Sequence, residues 1–207
     1  LRSEDFDRAE ASELLESIGR EVEHLRGVTE TYLERARRAP VDHVRTDVGE
    51  LLRRIVDFAR GELEQKRIRC EVQAPIGHFA EIDERMVRSA LWNLLRNGLE
   101  AMPEGGTLWL ELRREKPENM GRERDPDSAP LPFSDALVLA VEDSGQGVSD
   151  AVADRIFEPF FTTKERGTGV GLALVMEAAR AHHGKLSLVP GHHGSGARFE
   201  LSLPPCA

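Results

Sequence analysis

The chain has 207 residues, 40% of them hydrophobic and 31% charged, the balance of one soluble globular domain with room for a helical appendage. Its net charge of −9 excludes broad nucleic-acid binding, which needs a basic face for the phosphate backbone. It leaves single-nucleotide binding open, where local donors and a metal ion do the work. Two widely separated cysteines, Cys70 and Cys206, make no disulfide framework and point to a reducing, cytoplasmic setting. No apolar run reaches the ~18 residues of a membrane span, which leaves room for one upstream in a parent protein.

From about Ser12 to Arg38, Leu15, Ile18, Val22, Leu25, Thr29, Tyr32 and Ala36 alternate three and four apart. This heptad-like stripe predicts a long helix, ended by Pro40, and its narrowness favours a bundle or dimer helix over a surface one. Residues 1–40 are therefore expected to form part of a helical bundle, and residues 41–207 a separate domain. Val48 to Lys66 reads as a second amphipathic helix, with Leu51, Leu52, Ile55, Phe58, Ala59 and Leu63 on one side. Ile68 to Val72 alternates as a strand, and Pro75-Ile76-Gly77 breaks it. Asp83 is an N-cap for a helix from Glu84 to Met102. Thr107 to Leu112 alternates as a strand after a Pro-Gly turn. Arg113 to Asp135, with four prolines and many charges, reads as an exposed, mobile hairpin insertion. Ala136 to Glu142 resumes as a buried strand, Val170 to His182 as a helix, and Leu186–Val189 and Phe199–Leu203 as strands joined by a Gly-His loop. The order predicts an α+β domain: a mixed sheet with helices on one face.

Four stretches carry chemistry. Asn93 and Asn97 are four apart and share a helix face; an amide oxygen can ligate Mg²⁺, and an amide NH₂ can reach phosphate. Asp143-Ser144-Gly145-Gln146-Gly147 ends the buried strand. Its carboxylate can accept a hydrogen bond from an exocyclic amine, and its glycines let a flat ring approach. Phe157-Glu158-Pro159-Phe160-Phe161-Thr162-Thr163-Lys164 reads as a hinge on a core edge with a cation reaching out. Gly167-Thr168-Gly169-Val170-Gly171-Leu172 runs into a helix and offers backbone N–H groups to phosphate. It lacks both the Gly-Lys-Ser/Thr of a Walker loop and the spacing of a dinucleotide fingerprint.

In this order the four stretches resemble the N box, first glycine box, F box and second glycine box of sensor histidine kinases. The resemblance runs from about Glu13 to Pro204. It implies the Bergerat ATP-binding fold, a two-layer sandwich of mixed sheet and helices shared with gyrase, mismatch-repair and chaperone ATPases. It implies ATP and Mg²⁺ as ligands, phosphoryl transfer to a histidine on a bundle helix, relay to a response regulator receiver domain, and a homodimer through the bundle. Carried over by position, Asn97 is the Mg²⁺ ligand and Asn93 its partner toward the triphosphate. Asp143 is the adenine-amine acceptor, beside Gly145 and Gly147. Lys164 with Gly167, Thr168, Gly169, Gly171 and Leu172 forms a short ATP lid, similar to that of the nitrogen-regulation branch. Asn93, Asn97 and Lys164 are the catalytic candidates.

Three positions depart from the family pattern. Gly98 stands where Ala is usual. Ala197 stands where a Thr or Ser hydroxyl often helps hold adenine. His24-Leu25-Arg26-Gly27-Val28 is the nearest approach to an H box but lacks the acid and the Pro, so His24 reads as a plain helix-surface residue and the phospho-accepting histidine is expected outside this chain. The pairs His182-His183 and His192-His193 lack the cysteines and spacing of a metal site. Two alternatives accompany the kinase reading. A clamp-type ATPase would place a Glu where Asn93 stands, to activate water. A pseudokinase would bind nucleotide and serve as an interaction module.

Overall fold

A computed structural model describes residues 40–103, 105–115, 135–164, 167–194 and 196–205. The expected helix from Ser12 to Arg38, His24, Cys206 and residues 116–134 of the expected insertion lie outside them. The chain divides after Pro40, and the domain from Val41 onward holds every element below.

A short two-stranded antiparallel sheet pairs β1 (Val44–Asp47) with β3 (Phe79–Ile82). Between them lie α1 (Val48–Gln65) and β2 (Ile68–Gln73), and after them α2 (Glu84–Ala101), β4 (Gly106–Glu115) and β5 (Ala136–Asp143). The chain finishes with α3 (Gly171–Ala181), β6 (Lys185–Val189) and β7 (Arg198–Leu203). The main sheet has the order β2-β4-β5-β7-β6, with β2 parallel to β4 and every other pair antiparallel. This is the α+β two-layer sandwich with a mixed sheet.

The helices start where their caps dictate. Asp47 Oδ1 accepts from the Gly49 and Glu50 amides at 3.0 and 3.2 Å, and Asp83 Oδ1 accepts from the Met86 amide at 3.1 Å; each such cap stabilises by about 1 kcal/mol. Asp47 also holds the Gly77 amide through Oδ2 at 2.7 Å, which ties the β2–β3 turn to the head of α1. On β4, Leu108, Leu110 and Leu112 are buried while the residues between them are half-buried, the alternation of a strand with one face on a core. All eight residues of β5 are buried, as befits the central strand.

The opposite face of the sheet carries a charge network. Arg198, 1% exposed, donates to Glu111, Glu142 and Glu200 at 2.7, 3.0 and 2.9 Å. Glu142 also accepts the His193 amide at 2.7 Å, and the His193 ring stacks on Trp109 at 4.2 Å. A guanidinium this buried is tolerable because several carboxylates satisfy its donors.

The strands run longer than their alternation suggests. β4 extends to Glu115, so Arg113 to Glu115 belong to the sheet and not to an insertion; Arg113 pairs with Glu115 and Glu200 there. Phe58 departs from the core stripe expected of α1. It is 78% exposed and meets Trp92 of α2 edge-on at 5.1 Å. Gly98 is buried because α2 lies close on β4: a Cβ there would stand 2.7 Å from Leu108 Cδ1. His182 is buried with both ring nitrogens engaged, Nε2 accepting the Asp83 amide at 2.8 Å and Nδ1 facing the Ala178 carbonyl at 2.7 Å. The neutral Nδ1–H tautomer satisfies both contacts, and it ties the end of α3 to the cap of α2. Among the described residues no helix is long and apolar enough to cross a membrane, and no group of three or more His, Cys, Asp or Glu is placed to hold a metal.

Candidate functional site

A cavity of about 690 Å³ opens between α2, the end of β5, the head of α3 and the segment leading into it, within the ordinary range for small-molecule sites. Asn93, Asn97, Asp143, Gly147, Lys164, Gly167, Thr168, Gly169, Gly171 and Leu172 all line it. Residues spread over most of the domain's length thus meet around one space. Gly145 does not line it. A Cβ at Gly145 would stand 2.8 Å from the Ala101 carbonyl, so that glycine lets the turn after β5 pack against the end of α2.

The inner end is built on the sheet. Asp143 is 5% exposed; its backbone N–H donates to the Ala197 carbonyl at 3.0 Å. Its Oδ1 accepts from the Gly145 and Ala197 amides at 2.8 and 3.4 Å. Burial pushes its carboxyl above the usual aspartate value, and the neighbouring Glu142 pushes the same way, against those amide bonds and the Lys164 charge. A desolvated carboxylate gains from any further donor brought to it. The β7 side approaches closely because of Gly196: a Cβ there would fall 1.7 Å from the Asp143 carbonyl oxygen. Ala197 and Phe199 complete this end.

The outer end has no sheet beneath it. From Ser149 to Phe161 the backbone bonds are those of successive turns, such as Arg155 to Val152 and Glu158 to Arg155. Phe157 anchors this stretch edge-on to Phe199 of β7. Phe161 faces the cavity with the Arg155 guanidinium 4.4 Å over its ring. The Phe160 amide donates to the Gly169 carbonyl at 2.9 Å and closes the base of the loop. Gly169 has φ +67°, and a Cβ would stand 2.3 Å from the Phe160 carbonyl carbon, so only glycine fits. α3 then starts at Gly171 with no side-chain cap and no acidic residue in its first turn. Its free N–H groups and positive dipole end lie at the cavity, suited to an anion.

Asn93 and Asn97 flank the buried stripe of α2. Asn93 Nδ2 donates to the Ser89 carbonyl at 2.9 Å, which leaves its Oδ1 toward Gly171. Asn97 Oδ1 accepts from Lys164 Nζ at 3.3 Å. Lys164 Nζ also donates to Glu100 Oε2 at 2.6 Å, and Glu100 Oε1 accepts from Arg96 Nε at 2.9 Å. Burial raises the Glu100 carboxyl, but Lys164 and Arg96 outweigh it and hold it below the usual glutamate value. Sequence reading missed Glu100 and Arg96, although Arg96, Asn97 and Glu100 lie on one turn of one helix face. The two amides suit the ligand the motifs imply: an amide oxygen of Asn97 is a hard donor for Mg²⁺, and it already accepts from a cation in Lys164.

A family model described as histidine kinase-, DNA gyrase B- and HSP90-like ATPase matches residues 82–206, well over half of the chain. The chain belongs to that family. Its matched part begins at the end of β3 and takes in every residue of the cavity. Sensor kinase CckA of Brucella abortus is 36% identical over 64% of this chain and 13% of its own length. Sensor protein kinase PilS of Pseudomonas aeruginosa is 31% identical over 94% of this chain and 34% of its own. The chain therefore spans about a third or less of the length of these curated relatives. The mycobacterial sensor histidine kinase MprB has a solved structure of the same fold, with a TM-score of 0.60 at 24% identity, covering 79% of this chain and 97% of that one.

Proposed function

We propose that this domain is the ATP-binding catalytic core of a sensor histidine kinase, transferring the γ-phosphate of ATP to a histidine on a bundle helix for relay to a response regulator. The observation that carries this reading is one cavity that has a buried carboxylate at one end and paired amides, a lysine and an uncapped helix N-terminus at the other. Asp143 accepts the adenine amine, and Gly147 borders the purine. The Gly167–Gly171 backbone and Lys164 receive the phosphates, joined by Asn93. Asn97 holds Mg²⁺, which neutralises phosphate charge when bound. Phosphoryl transfer asks mainly for positioning and charge neutralisation, and these residues supply both. Asn93 supports a kinase over a clamp-type ATPase, since an amide takes no proton from water. Residues 1–40 are assigned to the dimerisation bundle, which would make the working protein a homodimer.

Calorimetric titration tests the site. ATP binds in preference to GTP, which lacks the amine, and Asp143→Asn weakens ATP by about tenfold or more, the scale of one charge-assisted hydrogen bond. Radiolabelled ATP with an added helix carrying a phospho-accepting histidine then gives acid-labile label, which Asn97→Ala abolishes. Equal affinity for ATP and GTP sinks the assignment of Asp143. Tight ATP binding without label on any acceptor moves the reading to a pseudokinase.

A further inference from the structure

Glu100 stands at the mouth of the cavity and binds two cations that line it. Its two carboxylate oxygens are divided between them, Oε2 to Lys164 and Oε1 to Arg96, at 2.6 and 2.9 Å. Lys164 comes from the turn segment and Arg96 from α2, so the carboxylate bridges the loop to the helix across 64 positions of sequence. The Lys164 ammonium is thereby held over Asn97 Oδ1 at 3.3 Å. Two positive groups converging on one carboxylate at the rim of an anion-accepting cavity form the arrangement an incoming phosphate would otherwise complete.

From this geometry we infer that Glu100 is a built-in substitute for the nucleotide's phosphates: it holds Lys164 and Arg96 in place at the mouth of the cavity, and ATP binds by displacing it. The inference rests on the ATP reading of the cavity. Three features favour competition over a purely structural pair. The contact links α2 to a segment with no strand or helix of its own, so the loop can leave it at little cost. The pair is exposed enough, at 41% for Lys164 and 35% for Glu100, that its own worth is small. A polyphosphate offers several oxygens for the same donors, so it outbids a single carboxylate. Glu100 is thus a positioning residue, which keeps the lysine near its working place while lowering the affinity of the phosphate end.

The test separates the two ends of the ligand. Adenosine and ATP, each with and without Mg²⁺, are titrated calorimetrically into wild type, Glu100→Gln, Lys164→Met and the double variant. Glu100→Gln is expected to tighten ATP about two- to fivefold, the fold-change equivalent of a surface ion pair, and to leave adenosine unchanged. In the Lys164→Met background the gain shrinks, because one of the two released cations is gone. ATP affinity that is unchanged or weaker in Glu100→Gln overturns the inference; so does loss of the Mg²⁺ effect in that variant, which would make Glu100 a metal ligand. A gain that persists in full beside Lys164→Met also overturns it, since general repulsion between carboxylate and phosphates would then suffice. Wild type that takes neither ligand removes the ATP reading, and this inference with it, whereas binding of both with no gain in Glu100→Gln removes the inference alone.

Discussion

The two ends of the cavity are made in different ways. At the inner end, Asp143 ends the central strand, fixed by its backbone bond to Ala197 just before β7 and almost fully buried. At the outer end, Lys164 rises from turns and is held by an ion pair at the surface. The inner end is costly to disturb, because a buried polar group must keep its partners. The outer end is cheap to disturb, because exposed ion pairs exchange readily with water. On the proposed ATP reading this division has a use: recognising one base asks for a preformed wall, and releasing a spent nucleotide asks for a loop of low local stability.

Glycine substitutions should break the comparison most sharply. Gly196→Ala places a Cβ 1.7 Å from the Asp143 carbonyl oxygen, a backbone atom that cannot step aside. It is expected to cost about 2 kcal/mol or more in stability and to abolish nucleotide binding. Gly167→Ala meets Thr162 Oγ1 first, at 2.3 Å, a side chain that can turn away. It should cost about 0.5 kcal/mol or less. Chemical denaturation of both variants gives the answer, and equal costs would erase the distinction between the two ends.

Hydrogen exchange measures the same contrast without mutation. Amides of Phe157–Lys164 and Gly167–Gly171 should exchange fastest among the described residues lining the cavity and slow on addition of a non-hydrolysable ATP analogue. The amides of β5 should be protected with or without it. High protection of these residues that ligand leaves unchanged would make them part of the rigid wall.

The smallest effect concerns His182, on the rigid side of the molecule. Burial is the main cause that holds its imidazole below the usual histidine value, with His43 and His183 acting the same way, against the Ala178 bond and the Asp83 charge. Its folded pKa is depressed, so the unfolded chain binds the proton more readily. The contribution is therefore fully present above the unfolded value near 6.5 and is lost as pH falls through the lower, folded one. Denaturation midpoints should drop from pH 7 toward pH 5.5. His182→Gln should lower the midpoint but flatten that slope, and a slope identical to wild type would place the titrating group elsewhere.

Local signals in the chain already mark α1, α2 and α3, the central strands and the four motif stretches. Their signals are local: Asp83 caps the helix that it precedes, apolar residues recur at the period of α1 and α2, and glycines mark the turn after Asp143 and the head of α3. The unbroken apolar run of β5 announced a strand buried on both faces. Other features arise only in the folded chain. The β1–β3 sheet joins two four-residue strands far apart along the chain, each too short to show an alternation. Phe58 follows the helical period of its neighbours yet lies outside the core, because period gives a direction on a helix and the packed neighbour decides how wide the buried stripe is. The Glu100–Lys164 pair, the Arg198 cluster and the approach of Gly196 to Asp143 each link residues that only the folded chain brings within bonding distance. Such contacts leave no periodic trace, since a single charge or a single missing Cβ carries no repeat for the eye to find.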